Sequence, residues 1–425
     1  PAADASRLTE STSRQAFRST PNRIVQRKRV AWGLAGLLKA LTTKRTQSMK
    51  NGRNGITKVE LVFGVACALI LLFLLIPTIH GPRPPHHLSQ CSTKLRYFAL
   101  AAIQHEVSRN AFPGYAISFG FYDPDNSPAS WTDQEGWTAT SVKHRKLGTW
   151  AVALLPWLDA QPTYEIWTDD RYPVVFGGFN ALPLSDGQSG LGFSAIATPN
   201  LQIFQCPSQT LDDITRGRNS YACNTGMFYR GSEATDFVRS MRAANGVFNN
   251  KFPGLDAQGS PVSVGPPVRL DDIKDGLGNT ILFAENLQAM PWHRAGFIDA
   301  NDLKLEDQEA EIHYPETSRY VHGIVWHFED DEGAADAPKV NPAHRINGVL
   351  AGASLIDLRM TQENAGDLAR PTSAHVDGVN VSMADGSTRF ITDTIDYHVY
   401  QSLLTPSGSE SDVPQPDFVL SDDSY

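Results

Sequence analysis

Across 425 residues there are four cysteines, no Cys-x-x-Cys, and no Cys/His pattern with the spacing of zinc ligands. Gly-x-Ser-x-Gly, His-Glu-x-x-His and the phosphate-binding loop are missing as well, which removes the common hydrolase, metalloprotease and nucleotide-binding signatures. A secretory signal peptide is not supplied either, because HGPRPPHHLSQ has no small-x-small site after the apolar core. Leu88-Ser89-Gln90-Cys91 fails as a lipidation site, since Gln90 is too large and Cys91 lies far beyond the apolar run. Positive charge is scarce outside the first 55 residues. Those hold 12 Lys and Arg against 2 Asp and Glu; the rest holds 25 against 44. A mostly acidic chain does not point to nucleic acid as a partner.

What the chain does have is one long apolar run. A basic stretch ends at Gly55, Glu60 stands at the edge of the run, and Leu61 to Ile79 is uncharged. As a helix, 19 residues cover roughly 28 Å, close to the hydrocarbon thickness of a bilayer. The basic flank orients the N-terminus to the cytoplasm and exports the acidic remainder. The expected localisation is the cytoplasmic membrane, single-pass, with the C-terminal part exported or at the cell surface. Met49 is a candidate start, which leaves residues 1–48 as an upstream extension without assigned function.

Gly55-Ile56-Thr57-Lys58-Val59-Glu60 and the following helix with Pro77 resemble the cleavage and methylation signal of type IV prepilins and pseudopilins. Counting from Ile56, the glutamate is fifth and the proline twenty-second, as in that family; Ile56 and Lys58 depart from its usual residues. The resemblance implies cleavage after Gly55 by a prepilin peptidase, methylation of Ile56, and Glu60 neutralising the amino terminus of a neighbouring pilin-like helix. A simple membrane anchor with Glu60 reaching for the headgroups is the plainer alternative.

Beyond the membrane run, Gly81-Pro82-Arg83-Pro84-Pro85 breaks the helix, and residues 81–87 read as a linker. Leu95, Phe98, Ala99, Ala102, Ile103 and Val107 then repeat at helical spacing, stopped by Asn110 to Gly114. Trp150 to Trp167 reads as helix interrupted near Pro156. Tyr115–Phe121, Thr280–Phe283 and Gly323–Phe328 read as strands, and 168–200 and 250–268 as loop insertions. Around Asp385-Gly386, Val379–Ile391 predicts a hairpin with a two-residue turn and Val381 opposite Phe390. Asp396 to Leu404 predicts a short helix. Glu329-Asp330-Asp331-Glu332 reads as a solvated acidic loop, with an exported Ca²⁺ site as the sharper alternative; Asp271–Gly276 lacks the ligands of a calcium loop.

Arg370-Pro371-Thr372-Ser373-Ala374-His375, Ala384-Asp385-Gly386-Ser387 and Asp396-Tyr397 resemble the closing signature of a prepilin-like family with domain of unknown function 1559, abundant in planctomycetes. That family carries a C-terminal His-X9-Asp-Gly motif, matched here by His375, Asp385 and Gly386. Gln90-Cys91-Ser92, Phe112-Pro113, Phe204-Gln205-Cys206-Pro207-Ser208 and Ile273–Gly276 match in order, so the resemblance spans 50–425. It places Cys91 and Cys206 in matching segments and so implies a disulfide between them, with Cys206–Cys223 the competitor. His375 and Asp385-Gly386 are expected to fasten a strand and make its turn rather than to catalyse.

The resulting expectation is an α+β, pilin-like protein: basic leader 1–55, transmembrane helix 56–80, linker 81–87, and an exported domain 88–425 with an amphipathic helix packed on an antiparallel sheet. It is expected to be structural, not an enzyme, with no catalytic residue, cofactor or metal assigned. The alternative is a membrane-anchored module binding extracellular glycans or solutes through Trp131, Trp137 and Trp326.

Overall fold

The computed structural model describes residues 58–79, 85–126, 143–175, 193–194, 196–209, 216–229, 234–254, 263–298, 302–303, 318–330, 340–349, 352–355 and 357–420. The chain divides into two compact units, 1–81 and 82–425. In the first, α1 (Lys58–Ile79) is a continuous helix of 22 residues. Val59, Leu61, Val62, Phe63, Val65, Leu69 and Leu71 are each more than half exposed, and at 100° per residue they leave no polar face. Among the described residues no helix is long and apolar enough to cross a membrane. In α1 the described side chains stop at Leu71, so the second half of the expected Leu61–Ile79 span lies outside them, as do Gly55, Ile56 and the side chain of Glu60.

The second unit opens with α2 (Pro85–Arg109). Proline is at home in a first turn, where its missing donor costs nothing, so the last residues of the expected linker are helical. Asn110 turns left-handed (φ 60°) and ends the helix. Then follow β1 (Ile117–Tyr122), β2 (His144–Gly148), α3 (Trp150–Leu154), α4 (Gln161–Thr168), β3 (Tyr221–Met227), β4 (Ile281–Glu285), β5 (Gly323–Trp326), β6 (Gly378–Met383), β7 (Thr388–Thr392) and α5 (Tyr397–Leu404). β1 and β2 form a separate ribbon; the main sheet runs β5-β3-β4-β6-β7. Its β3–β5 pair is parallel and the others antiparallel, so the sheet is mixed rather than antiparallel.

Both faces of this sheet are covered. On one, α2 lays Leu95, Phe98, Ala99 and Ala102 into the core while Val107, in the last turn, is exposed instead of buried as its spacing suggested. Phe98 is the centre of an aromatic layer, 5.1 Å from Tyr221, 5.3 Å from Phe204, 5.6 Å from Trp150 and 5.9 Å from Phe283. Truncating so enclosed a ring costs about 3–5 kcal/mol in comparable cores. On the other face, Tyr397, Tyr400, Leu403 and Leu404 of α5 pack with Val379, Val381 and Met383. α5 is capped by Asp396, whose carboxylate accepts the His398 amide at 2.8 Å.

The hairpin differs from expectation by one residue. Val381 faces Arg389, and Asn380 faces Phe390. Only Gly386 takes positive φ (82°), and the Gly386 amide donates to Met383 O at 3.0 Å. That makes a three-residue loop, a tight turn followed by a left-handed glycine, in place of the two-residue turn. In β3, Gly226 (φ 82°) sits at a bulge where an added Cβ would lie 2.4 Å from Asn245 O.

Candidate functional site

β4 reads Ile-Leu-Phe-Ala-Glu, four apolar residues closed by a carboxylate, and every one is buried. Burying a carboxylate is tolerated only where its oxygens are bonded. Glu285 Oε2 accepts the Asn380 backbone amide at 2.7 Å and Asn380 Nδ2 at 3.0 Å, both from the neighbouring β6. Its other oxygen, Oε1, lies 3.0 Å from His375 Nε2. The loop before β6 presents His375: the His375 amide donates to Ser373 Oγ at 3.0 Å, and Ser373 Oγ donates to Gly378 O at 2.6 Å.

Sulfur completes the cluster. Cys91, near the start of α2, is joined to Cys206, with Cα atoms 5.5 Å apart. Cys206 Sγ is 3.7 Å from Glu285 Oε1 and 3.8 Å from His375 Nε2. The Cys206 amide donates to Ser220 Oγ at 2.8 Å, which fixes the sulfur's approach. Tyr221, the cross-strand partner of Glu285, has a fully buried hydroxyl without a hydrogen-bond partner among the described residues. Burial, with the Glu285 charge adding to it, pushes that phenol well above its ordinary range. Cys223 is a buried free thiol in β3, likewise pushed up by burial, and Cys67 is a free thiol exposed on α1.

The three motif residues have separate placements. His375 belongs to the cluster above. Asp385 and Gly386 sit at the far end of β6, where Asp385 Oδ1 accepts the Ser387 amide at 2.7 Å and the Asp385 amide donates to Leu277 O at 3.0 Å. His375 and Asp385 therefore do not form an acid–base pair. The partners of His375 are Glu285 and the disulfide, which lie 90 and 169 residues away in sequence. The one sequence signal that would have found Glu285 is a charge closing an otherwise apolar strand.

A second polar cluster occupies the opposite part of the sheet. Asp330, expected in a solvated acidic loop, is buried, its carboxylate 2.5 Å from His344 Nδ1; Asp331 and Glu332 lie outside the described residues. His344 Nε2 is 3.0 Å from Asp367 Oδ1. Burial alone would lower the His344 pKa, but its hydrogen bonds to the two carboxylates outweigh that and hold it above its ordinary value. The His327 ring stacks on His344 with centroids 3.4 Å apart and planes 5° from parallel. Lone pairs of parallel rings do not converge, so Asp330 is a counter-ion here rather than part of a cation cage.

Beside His327, a pocket of about 170 Å³ is lined by Met227, Phe228, Tyr229, Arg239, Phe328 and Glu329. Of the expected aromatic ligands, Trp326 is fully buried and its Nε1 donates to Asn245 O at 2.9 Å, so it is a core residue; Trp131 and Trp137 lie outside the described residues.

In a comparison with known families, residues 89–398 match the model described as protein of unknown function (DUF1559). No curated protein and no solved structure matches the chain. The chain belongs to the DUF1559 family.

Proposed function

We propose that this DUF1559 chain is a membrane-anchored, exported, pilin-like structural protein whose N-terminal apolar helix carries the globular domain. The observation that supports the reading is α1 itself. Its described apolar side chains, between Val59 and Leu71, are exposed on every side of the helix, and a patch of that kind requires lipid or other apolar helices to cover it. On this reading a prepilin peptidase cuts after Gly55. Ile56 becomes the free amino terminus, and the helix is held in the cytoplasmic membrane with the domain exported. Glu60 is then the one carboxylate at the edge of the run, and it pairs with the amino terminus of a neighbouring pilin-like helix.

The test combines mass and crosslinking. Intact mass of envelope protein should correspond to a chain starting at Ile56. Glu60→Gln should leave insertion and cleavage unchanged and remove the crosslinked ladder seen with wild type. A mature chain starting at Met49, or equal ladders in both proteins, would leave only a simple anchor.

The second reading, an anchored module binding extracellular glycans or solutes, draws its support from the pocket beside His327, where Phe228, Tyr229 and Phe328 supply aromatic surface and Glu329 and Arg239 supply polar groups. Titration of the full chain with envelope-derived oligosaccharides, compared with Phe328→Ala, tests it. Heat signals that are absent, or equal in the two proteins, would remove this reading.

A further inference from the structure

Cys91, Cys206, Glu285 and His375 come from a helix, a loop, a strand and a second loop, yet one ligand atom from each lies within 4.8 Å of the other three. Two thiolates, an imidazole and a carboxylate are the donors a borderline-soft divalent ion selects. We propose that the reduced chain binds one Zn²⁺ through these four side chains, and that the Cys91–Cys206 disulfide is the oxidised, metal-free form of the same site.

The distances carry the proposal. With Zn–S near 2.3 Å and Zn–N or Zn–O near 2.0–2.1 Å, a tetrahedral site has edges of roughly 3.3–3.8 Å. The two sulfur edges already present are 3.7 and 3.8 Å, and the His375–Glu285 edge is 3.0 Å. The Sγ–Sγ edge must open and the His375–Glu285 edge must widen by a few tenths of an ångström, while the two edges from Cys91 Sγ lie within 4.8 Å. Outer-shell bonds hold the ligands in the manner metal sites require. Asn380 fixes Glu285 Oε2 with two donors and so aims Oε1 at the cluster, and Ser220 holds the Cys206 amide.

The chemistry balances with a named reductant. A dithiol or a phosphine supplies two electrons to the disulfide; the S–S bond breaks and two protons from water complete the thiols. The dithiol leaves as its own disulfide, the phosphine as its oxide. Zinc then displaces both thiol protons to solvent. The ion would hold α2 to the sheet in the reduced chain, where the covalent bond is absent. This proposal does not rest on the pilin-like reading.

The experiment uses the full chain in detergent, reduced anaerobically with a phosphine, with near-ultraviolet circular dichroism to confirm tertiary structure. Cobalt(II) titration should give thiolate-to-metal absorption and tetrahedral d–d bands saturating at one ion per chain, abolished by excess Zn²⁺. The oxidised chain should give neither. His375→Gln and Glu285→Gln keep hydrogen-bonding groups in place and should weaken Co²⁺ binding at least tenfold, and Cys91→Ser should abolish the charge-transfer band. A reduced wild-type chain without those bands overturns the site. So does His375→Gln binding with unchanged affinity, which would leave only a dithiol. If either Gln variant loses its dichroism signal, ¹¹³Cd chemical shift on the wild type decides. A shift in the two-sulfur, nitrogen, oxygen range supports the four-ligand set, and a shift outside it overturns the set.

Discussion

Removing Glu285 should be among the most damaging single changes in the domain, and the structure sets the size of the effect. Its carboxylate satisfies the buried Asn380 amide at 2.7 Å, Asn380 Nδ2 at 3.0 Å and the half-buried His375 Nε2 at 3.0 Å. Glu285→Ala leaves these groups without a partner. At about 1–3 kcal/mol for each unsatisfied buried group, and with some relaxation, the expected loss is about 3–5 kcal/mol. His375→Ala removes one partner and leaves the two from Asn380, so about 1–2 kcal/mol is expected. Because the two side chains share a hydrogen bond, the double variant should lose less than the sum, with a coupling of about 1–2 kcal/mol. The assay is urea unfolding of the oxidised full chain, read by the fluorescence of the buried Trp150, Trp167, Trp292 and Trp326. Additivity within about 0.3 kcal/mol, or a Glu285→Ala loss below about 1 kcal/mol, would refute the view that His375 fastens β6 through Glu285.

Replacing Cys91 and Cys206 together by Ser opens a loop with a sequence separation of 115 residues, worth about 4.8 kcal/mol in the chain-entropy limit; a measured loss of about 2–5 kcal/mol under metal-free oxidising conditions is expected, and one below about 1 would argue against the bridge. His344 has a raised folded pKa, so its contribution is fully present below the ordinary histidine value and is lost as pH rises through the folded value. Unfolding midpoints of wild type should therefore decline across that window relative to His344→Gln, and parallel pH curves would contradict the pairing with Asp330 and Asp367. Gly386→Ala places a Cβ at φ 82° and 3.1 Å from Leu100 Cδ2, so a loss of about 1–2 kcal/mol in urea unfolding is expected; no change would mean the turn accommodates a side chain.

Much of this architecture is legible where one face is buried and the other is not. Leu95, Phe98, Ala99 and Ala102 mark the buried stripe of α2, and the spacing misleads only at Val107, in the exposed last turn. β3 is illegible for the opposite reason. Tyr221 to Met227 is enclosed by layers on both faces of the sheet, so its sequence, YACNTGM, has no alternation to read. The one-residue error in the hairpin comes from turn chemistry, since Asp385-Gly386 suits two loop lengths and only the backbone decides. The spacing between His375 and Asp385 is readable, but nothing local names Glu285 as the partner. The link between Cys91 and Cys206 was legible only through resemblance to a family, because three exported cysteines allow more than one pairing.

The spacing between His375 and Asp385 has a geometric counterpart in α2. Cys91 meets Glu285 and His375 through its bridge to Cys206, and Glu285 holds Asn380 in β6. Nine residues further along the same helix, Leu100 packs against Gly386 at the other end of the strand. Nine helical residues advance roughly 13.5 Å, and the strand from Asn380 to its last residue, Met383, advances roughly 10 Å before the turn that carries Gly386. Helix and strand therefore run alongside one another over comparable lengths, met near one end by His375 and at the other by Gly386. A longer or shorter segment between His375 and Asp385 would keep one contact and lose the other. Without His375, the disulfide would sit beside a carboxylate lacking one of its three partners. The motif thus reads as a gauge of α2: it sets where the strand begins and turns so that this helix is held along its length.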